Sequence, residues 1–462
     1  MSSTRPSESA ASESVGADRP SVVIVGGGFA GVACAKELGK HGVDVTLIDK
    51  NTYHQFQPLL YQVATAQLSV QDVRMPLREL FRKQRSVMVK NAAVTSVDPA
   101  SKSVTTDDGV TFSGDHLVLA MGTQPNFFGV PGAAEHAFPL YSTDDAMHLR
   151  DRVLRVFEDA DLDPARIDQG ALNFVIVGGG PTGVETAGAL ADLIGNVMPE
   201  YYHDLDVDRA RIILVDRSTV VLAPFSDKAH DYAAKVLTKK GVTLRLESSV
   251  QEVRDDRVLL DDGSEIPTHC VIWAGGLKSR SIDGIESLPR GRGGRVTVGE
   301  DLSVEGSPGL YVVGDAALAT DADGSPLPQL GAVALQAGTS AADSILAEIA
   351  GERAPSFRYH DKGIMAMIGR RAAIAEVGAH HHELHGAIAF GAWLGVHAWL
   401  LNTTRTRVDA FISWAWDWFT HSRSTAYIGE PDVARIDWTH DDDDDDYDDD
   451  DMTETETEME TT

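Results

Sequence analysis

Cysteine is almost absent from this sequence, whose 462 residues include only Cys34 and Cys270. Without a Cys-x-x-Cys pair, the sequence predicts neither a redox dithiol nor a zinc site, and we expect no bound metal. Basic residues are also scarce, since 40 Lys and Arg face 70 Asp and Glu, and only 12 of the 40 are lysines. The resulting formal net charge of −30 argues against nucleic-acid binding, which requires basic patches.

The acidic residues are concentrated at the C-terminus. Residues 441–462 contain ten Asp, four Glu and no basic residue, so they account for 14 of the 30 net negative charges. We expect residues 431–462 to form a disordered acidic tail, and residues 1–20, rich in Ser and Ala, to form a disordered leader. The remaining charge of −16 and the shortage of lysine resemble proteins of salt-accumulating halophiles, although an acidic mesophilic enzyme can share them.

Long apolar runs are missing as well. The apolar segment 387–401 has only 15 residues, whereas a membrane-spanning helix needs roughly 20, so we expect this segment to lie in an interface. Five of the seven tryptophans fall between Trp393 and Trp418, and tryptophan favours the membrane–water boundary. Residues 356–430 are therefore predicted to form a membrane-docking region, with an aromatic dimer interface or a buried helix as the alternative.

This docking region is predicted to be helical and amphipathic. Four aromatic residues have the spacing of one helical face: Phe411, Trp414, Trp418 and Phe419. Three arginines form a local basic minority that could meet anionic lipid headgroups: Arg405, Arg407 and Arg423.

Glycine, by contrast, is abundant and occurs in a repeated pattern. Near the N-terminus, the β-branched run 22–25 leads into Gly26, Gly28 and Gly31, and a helical pattern and a second strand follow. Such a unit binds dinucleotides, because its glycines permit a tight turn, a close approach of backbone to pyrophosphate and close helix packing. Asp49, at the end of the second strand, can bind ribose hydroxyls.

The same pattern recurs about 150 residues later. The strand 174–177 leads into Gly178, Gly180 and Gly183, and the next predicted strand ends on Asp216. Asp216 follows the last glycine by 33 residues, further than the usual ~20, so this acid is the weaker of the two assignments. Two such units in one chain predict two nucleotide sites.

Each unit is followed by a predicted hairpin and by a buried strand that ends in glycine. These segments are 103–115 and 116–122 in the first half, and 242–263 and 270–276 in the second. This order is the architecture of two-dinucleotide flavoproteins. A later strand, 310–315, is then expected to rejoin the first domain and to place Asp315 at a flavin ribityl chain, although a capped helix start at Asp315 fits locally as well.

These patterns predict an α/β protein with two Rossmann-like dinucleotide-binding domains and a C-terminal amphipathic helical docking region. A discontinuous FAD-binding domain would comprise residues 21–143 and 301–355. The NADH-binding domain, residues 144–300, would be inserted between these two parts.

Six segments carry a resemblance to a known family: VIVGGGFAGV (23–32), YHQFQPLLYQVAT (53–65), FVIVGGGPTGVETAGALADL (174–193), VIWAGG (271–276), VVGDAA (312–317) and YHDKGIMAMIGRRAAIAEVG (359–378). With them, residues 21–430 resemble the type II NADH dehydrogenases, which are single-subunit NADH:quinone oxidoreductases that do not pump protons. The glycine motifs occur in many flavoproteins, whereas the QPLLYQVAT and DKGxMAxIGR segments are more specific to this family.

The resemblance implies a flavoenzyme that moves a hydride from NADH to FAD and then two electrons to a membrane quinone of the menaquinone or ubiquinone type. FAD would be bound by Gly26, Gly28, Gly31, Asp49 and Asp315, and NADH by Gly178, Gly180, Gly183 and Asp216. Further cofactor-binding residues implied are Phe29, Ala30, Thr65, Val94, Gly122, Val333, Thr182 and Gly275. The enzyme would lie peripherally on the cytoplasmic face of the cell membrane, as a monomer or as a homodimer.

Three residues are expected to act in the reaction. The resemblance puts Glu185 near the nicotinamide and puts Gln336 and Lys362 on the quinone side, where an amide can donate to a carbonyl and an ammonium can stabilise a developing quinol anion. The sequence departs from the family at two points. Ala332 stands where the family usually has another glutamine, and residues 120–122 read Ala-Met-Gly where the family has Ala-Thr-Gly.

Two other functions fit parts of the sequence. A sulfide:quinone oxidoreductase shares this fold, but it needs a cysteine pair beside the flavin, and Cys34 and Cys270 lie elsewhere by motif position. A flavin-bearing redox sensor would bind the same nucleotides without turnover, and rapid quinone-dependent consumption of NADH would distinguish the enzyme from it.

Overall fold

A computed structural model describes residues 19–378, 381–401 and 403–438 of the chain. The predicted leader up to residue 18 and the acidic tail from residue 439 onward lie outside the described residues. The helices, in chain order, are α1 (Phe29–Lys40), α2 (Leu60–Ala64), α3 (Val70–Val73), α4 (Leu77–Leu80), α5 (Ala133–His136), α6 (Thr143–Leu162), α7 (Pro181–Asn196), α8 (Met198–Tyr201), α9 (Asp227–Lys239), α10 (Gly331–Ile349), α11 (Ala387–Leu400), α12 (Thr404–Thr420) and α13 (Pro431–Ala434).

Short strands in the described residues form eight sheets. The strands, in chain order, are β1 (Ser21–Val25), β2 (Asp44–Asp49), β3 (Tyr53–Gln55), β4 (Arg74–Pro76), β5 (Val87–Asn91), β6 (Val94–Asp98), β7 (Ser103–Thr106), β8 (Thr111–Ser113), β9 (His116–Leu119), β10 (Thr123–Pro125), β11 (Ala137–Pro139), β12 (Asn173–Val177), β13 (Arg211–Val215), β14 (Val242–Arg245), β15 (Val250–Val253), β16 (Arg257–Leu260), β17 (Glu265–Pro267), β18 (Cys270–Trp273), β19 (Leu277–Ser279), β20 (Val296–Thr297), β21 (Ser303–Val304), β22 (Ser307–Val312), β23 (Ala317–Leu318), β24 (Gly363–Gly369), β25 (Ala372–Val377) and β26 (His382–His385).

The first large sheet has the strand order β21–β22–β9–β1–β2–β5. Its strands β22, β9, β1, β2 and β5 run parallel, and β22 brings the chain back to this sheet after the second large sheet is complete. Ile24 and Val118 pack towards α1 and α10, while Val25 and Leu119 pack on the other face with the β6–β8 sheet. Burial on both faces explains why these strands are continuously apolar.

The second large sheet repeats the parallel design with the order β11–β18–β12–β13–β14. Here the structure differs from the sequence prediction, because β14 is a strand of this sheet and not the first arm of the predicted hairpin 242–263. The antiparallel sheet β15–β16–β17 follows it, with the turn at Asp262 between β16 and β17.

The borders between the two nucleotide-binding halves also differ from the predicted ones at residues 143 and 300. β11, which ends at Pro139, already belongs to the second sheet, and β20, which starts at Val296, pairs with β23 of the first half. Strands β10 and β19 form an antiparallel pair. The chain passes through β10 on its way from the first large sheet to the second, and through β19 on its way back.

The region 356–430 begins with a sheet rather than with a helix. Strands β24, β25 and β26 form an antiparallel sheet that packs against α7 and α11. Helices α11 and α12 follow, and the Trp393 ring of α11 is fully buried in the core of the second half. No helix within residues 19–378, 381–401 and 403–438 has both the length and the apolarity needed to cross a membrane.

After α12 the chain returns to the body of the protein in residues 423–438, which include α13 and which we call the return strap. The Asp151 carboxylate on α6 accepts hydrogen bonds from the backbone N–H groups of Gly429 and Glu430. Further on, the Trp438 indole donates to the Asp159 carboxylate at 3.0 Å. Residues 431–438, which the sequence assigned to a disordered tail, therefore pack against α6.

Candidate functional site

The two glycine loops are built alike. Gly26 and Gly178 have φ values of +107° and +115°, and a Cβ atom on either would overlap the carbonyl oxygen of Ala120 or Ala274, respectively. Each loop passes so close to the neighbouring strand's end that only glycine fits. The repeat seen in the sequence is thus a repeat in three dimensions.

The remaining glycines of each loop have two different tasks. A Cβ atom on Gly31 or Gly183 would overlap the carbonyl oxygen of Gly26 or Gly178, so these glycines let the helix lie against the turn. A Cβ atom on Gly28 or Gly180 would meet nothing within 4 Å. The second glycine of each loop therefore faces open space at the N-terminus of α1 or α7, as a pyrophosphate-binding loop requires.

The two acidic residues have matching environments. Asp49 accepts hydrogen bonds from the backbone N–H groups of Gly27 at 2.5 Å and Asn51 at 2.7 Å. Asp216 accepts from Gly179 and Ser218, both at 2.6 Å. A carboxylate has room for further hydrogen bonds, so both acids can still accept ribose hydroxyls. The structure thus gives Asp216 the same place as Asp49 despite its longer spacing in sequence.

The other residues predicted to bind FAD lie on several elements of the structure. Phe29 and Ala30 open α1, Thr65 follows α2, Val94 opens β6, Gly122 follows β9, and Val333 lies in the first turn of α10. Asp315 follows β22 and is half-buried; burial raises its pKa, and the nearby Arg295 guanidinium lowers it. Gly122 and Asp315 follow strands of the first sheet, and their role in FAD binding stays a prediction.

The residues predicted for the second loop are Thr182 and Gly275. Thr182 is exposed in the first turn of α7, and Gly275 follows β18, where it lies against the Trp273 ring. Together with Gly180 and Asp216, these residues line the carboxyl edge of the second sheet.

Sequence reasoning missed His54. Its Nδ1 atom lies 2.9 Å from the carbonyl oxygen of Gly27 in the first loop, and its ring packs edge-on against Phe29 at 5.1 Å. The Nε2 atom is buried without a hydrogen-bond partner in the described residues, and burial lowers the pKa of His54 to about 4. A buried ring nitrogen without a partner, beside a nucleotide-binding loop, is a place where a bound FAD could supply the missing hydrogen-bond partner. In the sequence, the YHQF segment was the only signal that pointed to His54.

Glu185 lies on α7 and lines a cavity of about 300 Å³. One oxygen accepts a hydrogen bond from the backbone N–H of Met367 at 3.1 Å. Glu185 is half-buried, and burial of its carboxyl group raises the pKa to about 8, opposed by the Met367 amide and the Trp393 indole. Glu185 therefore carries a proton at neutral pH.

The cavity is formed by α2, α7, β24, α11 and α12. Its walls include aromatic and aliphatic side chains as well as polar groups: Tyr61, Gln62, Leu394, Trp414, Trp418 and Arg423. The Gln62 amide links two of these walls, because it donates to the Tyr61 hydroxyl at 3.2 Å and accepts from the Trp414 indole at 2.8 Å. No single segment of the sequence predicts this cavity.

Gln336 and Lys362 are not among the residues that line this cavity. The side-chain amide of Gln336 donates to the carbonyl oxygen of His360 at 3.1 Å and accepts from its backbone N–H at 2.9 Å. Lys362, two residues further, is exposed. Gln336 thus holds the backbone of His360, two residues before Lys362.

The C-terminal aromatic residues do not share one face. Trp414 is buried at 7% exposure, whereas Phe411 and Phe419 are 52% and 82% exposed. The face of α11 and α12 that points outward contains the following large apolar side chains: Ile388, Val396, Trp399, Val408, Phe411, Ile412, Trp416 and Phe419. We call this surface the apolar face.

The arginines of this region also differ from the sequence prediction. Arg405 is exposed and pairs with Asp409, and Arg407 donates to backbone carbonyls at the end of α11. Arg423 is buried, donates to the Asp417 carboxylate at 3.0 Å and to the carbonyl oxygen of Thr65 at 2.5 Å. Arg423 is therefore a structural cation and cannot meet lipid headgroups.

Neither cysteine can serve as a redox partner of a flavin. Cys34 is buried in α1 and Cys270 in β18, and they belong to different core clusters. Burial raises the pKa of both thiols, that of Cys270 to about 12. Because the thiolate is the reactive form, this chain lacks the cysteine pair that a sulfide:quinone oxidoreductase requires.

Residues 20–338 match the model of the family described as pyridine nucleotide-disulphide oxidoreductase. The chain is 37% identical over 413 residues to the type II NADH:quinone oxidoreductase Ndh of Mycobacterium tuberculosis, covering 86% of this chain and 87% of that protein. It is 27% identical over 370 residues to the type II NADH:quinone oxidoreductase of Staphylococcus haemolyticus, covering 78% of this chain and 90% of that protein.

Solved structures share the fold. NDH2 from Plasmodium falciparum, in complex with NADH, has a TM-score of 0.81 at 20% identity, covering 88% of this chain and 100% of that chain. The sulfide:quinone oxidoreductase of Aquifex aeolicus has a TM-score of 0.67 at 17% identity, covering 87% of this chain and 96% of that chain.

Two Rossmann-like halves with matched glycine loops define the chain as a reductase of the two-dinucleotide flavoprotein class. Within that class, the 37% sequence identity to the mycobacterial Ndh, over most of both chains, identifies the family. The chain belongs to the type II NADH:quinone oxidoreductases of the pyridine nucleotide-disulphide oxidoreductase family.

Proposed function

We propose that this chain, a type II NADH:quinone oxidoreductase that uses FAD and NADH, reduces its quinone in the cavity lined by Glu185. The observation that carries the proposal is the cavity, which joins a buried, protonated carboxyl group to the aromatic helices α11 and α12. FAD, when bound, supplies the redox chemistry by accepting a hydride from NADH and passing two electrons to quinone. The side chains described above bind, orient and move protons.

The two nucleotides would take the two glycine loops. The open space at Gly28 and the N-terminus of α1 would receive the FAD pyrophosphate, with Asp49 on the adenosine ribose and Asp315 on the ribityl chain. The equivalent space at Gly180 would receive NADH, with Asp216 on its adenosine ribose. The repeated geometry of loop and acid supports both assignments.

Glu185, which the family resemblance puts near the nicotinamide, would instead deliver a proton to the quinone in this proposal. A quinone that gains two electrons must also take up two protons to become a quinol. A carboxyl group that holds its proton at neutral pH can donate one of them to a carbonyl oxygen within hydrogen-bond reach. The apolar walls of the cavity suit an aromatic ring with an apolar tail, which menaquinones and ubiquinones share.

Gln336 and Lys362 would act at the flavin edge of the same reaction. Replacing Gln336 with alanine removes both hydrogen bonds to His360 and frees the segment that positions Lys362. We expect quinone reduction to slow by about five- to hundredfold, the effect of losing about 1–3 kcal/mol, while flavin reduction by NADH changes little. Stopped-flow traces of the two half-reactions measure these rates separately.

Gln84 provides the matched control for this experiment. Its amide also donates to a backbone carbonyl, that of Lys36 at 2.8 Å, but it lies in the first half away from the cavity. Gln84→Ala should leave both half-reactions unchanged. Slowing of flavin reduction in Gln336→Ala would assign Gln336 to the nicotinamide side and contradict the proposal.

The apolar face would dock on the membrane surface. It gathers large apolar side chains from both C-terminal helices, and it lies beside the cavity through which an apolar quinone must enter. Peripheral attachment at the cytoplasmic face would bring NADH and membrane quinone to one enzyme. The acidic, lysine-poor composition supports a halophilic origin, since such surfaces suit high salt.

Substitution of Ile412 and Trp416 by aspartate tests this docking. Both side chains are exposed, 60% and 59%, on consecutive turns of α12, and neither lines the Glu185 cavity. We expect the double variant to lose at least about tenfold in binding to lipid vesicles, because apolar burial is replaced by charge. Flotation of the full chain with vesicles measures the bound fraction.

Leu162 supplies the control, since it is 78% exposed at the end of α6 and lies outside the apolar face. Leu162→Asp should float with vesicles as the unchanged protein does. If the double variant still floats, the apolar face does not dock on lipid. A change from dimer to monomer without loss of flotation would identify the face as a homodimer interface.

A further inference from the structure

Phe128 is an unusual residue for an exposed loop. Its side chain is 53% exposed, and its backbone has a φ of +54°, in the left-handed region that a bulky residue rarely adopts. Strained backbone that carries an exposed aromatic ring persists only where the surroundings hold it, and such places are often functional.

The surroundings of Phe128 are tied to the end of β18. The Asn126 side chain accepts a hydrogen bond from the Phe128 backbone N–H at 3.0 Å, and the Asn126 N–H donates to the carbonyl oxygen of Gly276 at 3.0 Å. The Trp273 indole donates to the Asn126 carbonyl oxygen at 2.8 Å. A Cβ atom on Gly276 would lie 3.2 Å from the Phe128 ring, so the ring rests on the strand end.

The other neighbour of the ring comes from the opposite side of the second glycine loop. The guanidinium carbon of Arg217 lies 5.5 Å from the centre of the Phe128 ring. Arg217 directly follows Asp216 at the end of β13, and β13 and β18 lie on either side of β12. The Arg217 side chain therefore spans the mouth of the loop that follows β12.

The N–H groups of the Arg217 guanidinium are available for a ligand. Within residues 19–378, 381–401 and 403–438, its guanidinium forms neither a hydrogen bond nor an ion pair with another side chain, and only the ring contact holds it. A guanidinium that rests on an aromatic ring through its face keeps its N–H edge available for a phosphate.

We propose that Phe128 holds the Arg217 guanidinium across the mouth of the NADH groove, where it binds the dinucleotide diphosphate, and away from the ribose 2′ position beside Asp216. Phe128 is thus a positioning residue for NADH selectivity. The inference rests on the proposed placement of NADH on the second glycine loop. A free Arg217 beside Asp216 would instead be able to pair with the 2′-phosphate of NADPH.

Calorimetric titration of the FAD-loaded enzyme with NAD⁺ and with NADP⁺ tests the inference without turnover. Arg217→Ala should weaken NAD⁺ binding by about fivefold, through loss of a charge-assisted contact. Phe128→Ala should tighten NADP⁺ relative to NAD⁺ by about fivefold, whereas Phe128→Tyr, which keeps the ring, should retain the original ratio. In the Arg217→Ala background, Phe128→Ala should no longer change that ratio.

Two outcomes would overturn the inference: an unchanged NADP⁺ to NAD⁺ ratio in Phe128→Ala, or the same change of ratio with and without Arg217. Failure of the unchanged enzyme to bind NAD⁺, or full NAD⁺ binding after Gly180→Val, would instead contradict the placement of NADH itself. The two failures are therefore distinguishable in one set of titrations.

Discussion

Replacing Glu185 with glutamine is expected to slow quinone reduction at neutral pH by about a hundredfold, the usual size of a general acid's contribution. Glutamine keeps the acceptor for the Met367 N–H but has no proton to give. In the unchanged enzyme, quinone reduction should fall as the pH rises through about 8, because burial raises the pKa of Glu185 to that value and the carboxyl then loses its proton. The Glu185→Gln variant should lack this dependence.

Stopped-flow reoxidation of the flavin by quinone, recorded from about pH 6 to pH 10, measures the profile. The matched control is Glu376→Gln, since Glu376 is also buried and accepts from a backbone N–H, that of Ser226, but lies outside the cavity. The control should retain the fall near pH 8. A wild-type profile in the Glu185→Gln variant would show that another group supplies the proton.

The same raised pKa links Glu185 to stability. The unfolded carboxyl has a pKa near 4.5, so the folded protein keeps a proton that the unfolded chain has lost between that pH and about 8. The contribution of this group to stability is fully present below pH 4.5 and is lost as the pH rises through 8. Glu185→Gln should therefore gain stability relative to the unchanged protein over that interval.

Breaking the ion pair between Arg423 and Asp417 is expected to cost about 3–5 kcal/mol of unfolding free energy. Both residues are buried, and the pair is held by two further contacts, since Asp417 also accepts from Gln67 at 3.0 Å and Arg423 donates to the carbonyl oxygen of Thr65. Asp417→Ala would leave a buried guanidinium without its counter-charge. Chemical denaturation of the FAD-loaded protein measures the loss.

The exposed pair Arg405–Asp409 on the same helix is the control. Its atoms are 3.4 Å apart, but the Arg405 side chain is 91% exposed, so Arg405→Gln should change the unfolding free energy by less than about 1 kcal/mol. The double variant Arg423→Met, Asp417→Leu should recover much of the stability, because no charge then remains buried. If Asp417→Ala lowered the unfolding free energy as little as Arg405→Gln does, water would have to reach the Arg423–Asp417 pair.

The two nucleotide units were predictable because each is local: strand, glycine loop, helix and acid occur in order along a short stretch of chain. Asp216 was the harder case, because α8 and a loop lengthen the connection, yet β13 still ends beside the glycine loop. Sequence order alone could not assign β14, whose parallel neighbour β13 ends 27 residues earlier. The place of β14 follows from its parallel pairing with β13, which the order of residues along the chain does not reveal.

The C-terminal region was less predictable because its partners are distant in sequence. Trp414 and Arg423 look like members of an amphipathic, basic surface, but Trp414 bonds Gln62 and Arg423 bonds Thr65, more than 340 residues away. Periodicity shows which side chains share a face, but it does not show which face the body of the protein covers. That choice depends on α2 and its neighbours.

The return strap has a consequence for how such an enzyme can change in evolution. Trp393 of α11 fills the core, and residues 423–438, which follow α12, pack against α6. Helices α11 and α12 are therefore attached to the body of the protein both before and after the apolar face. Removing the chain from about residue 386 would open the core along with the apolar face. These helices are therefore not a module that recombination can exchange, and their outer surface can change only through substitution of its exposed side chains.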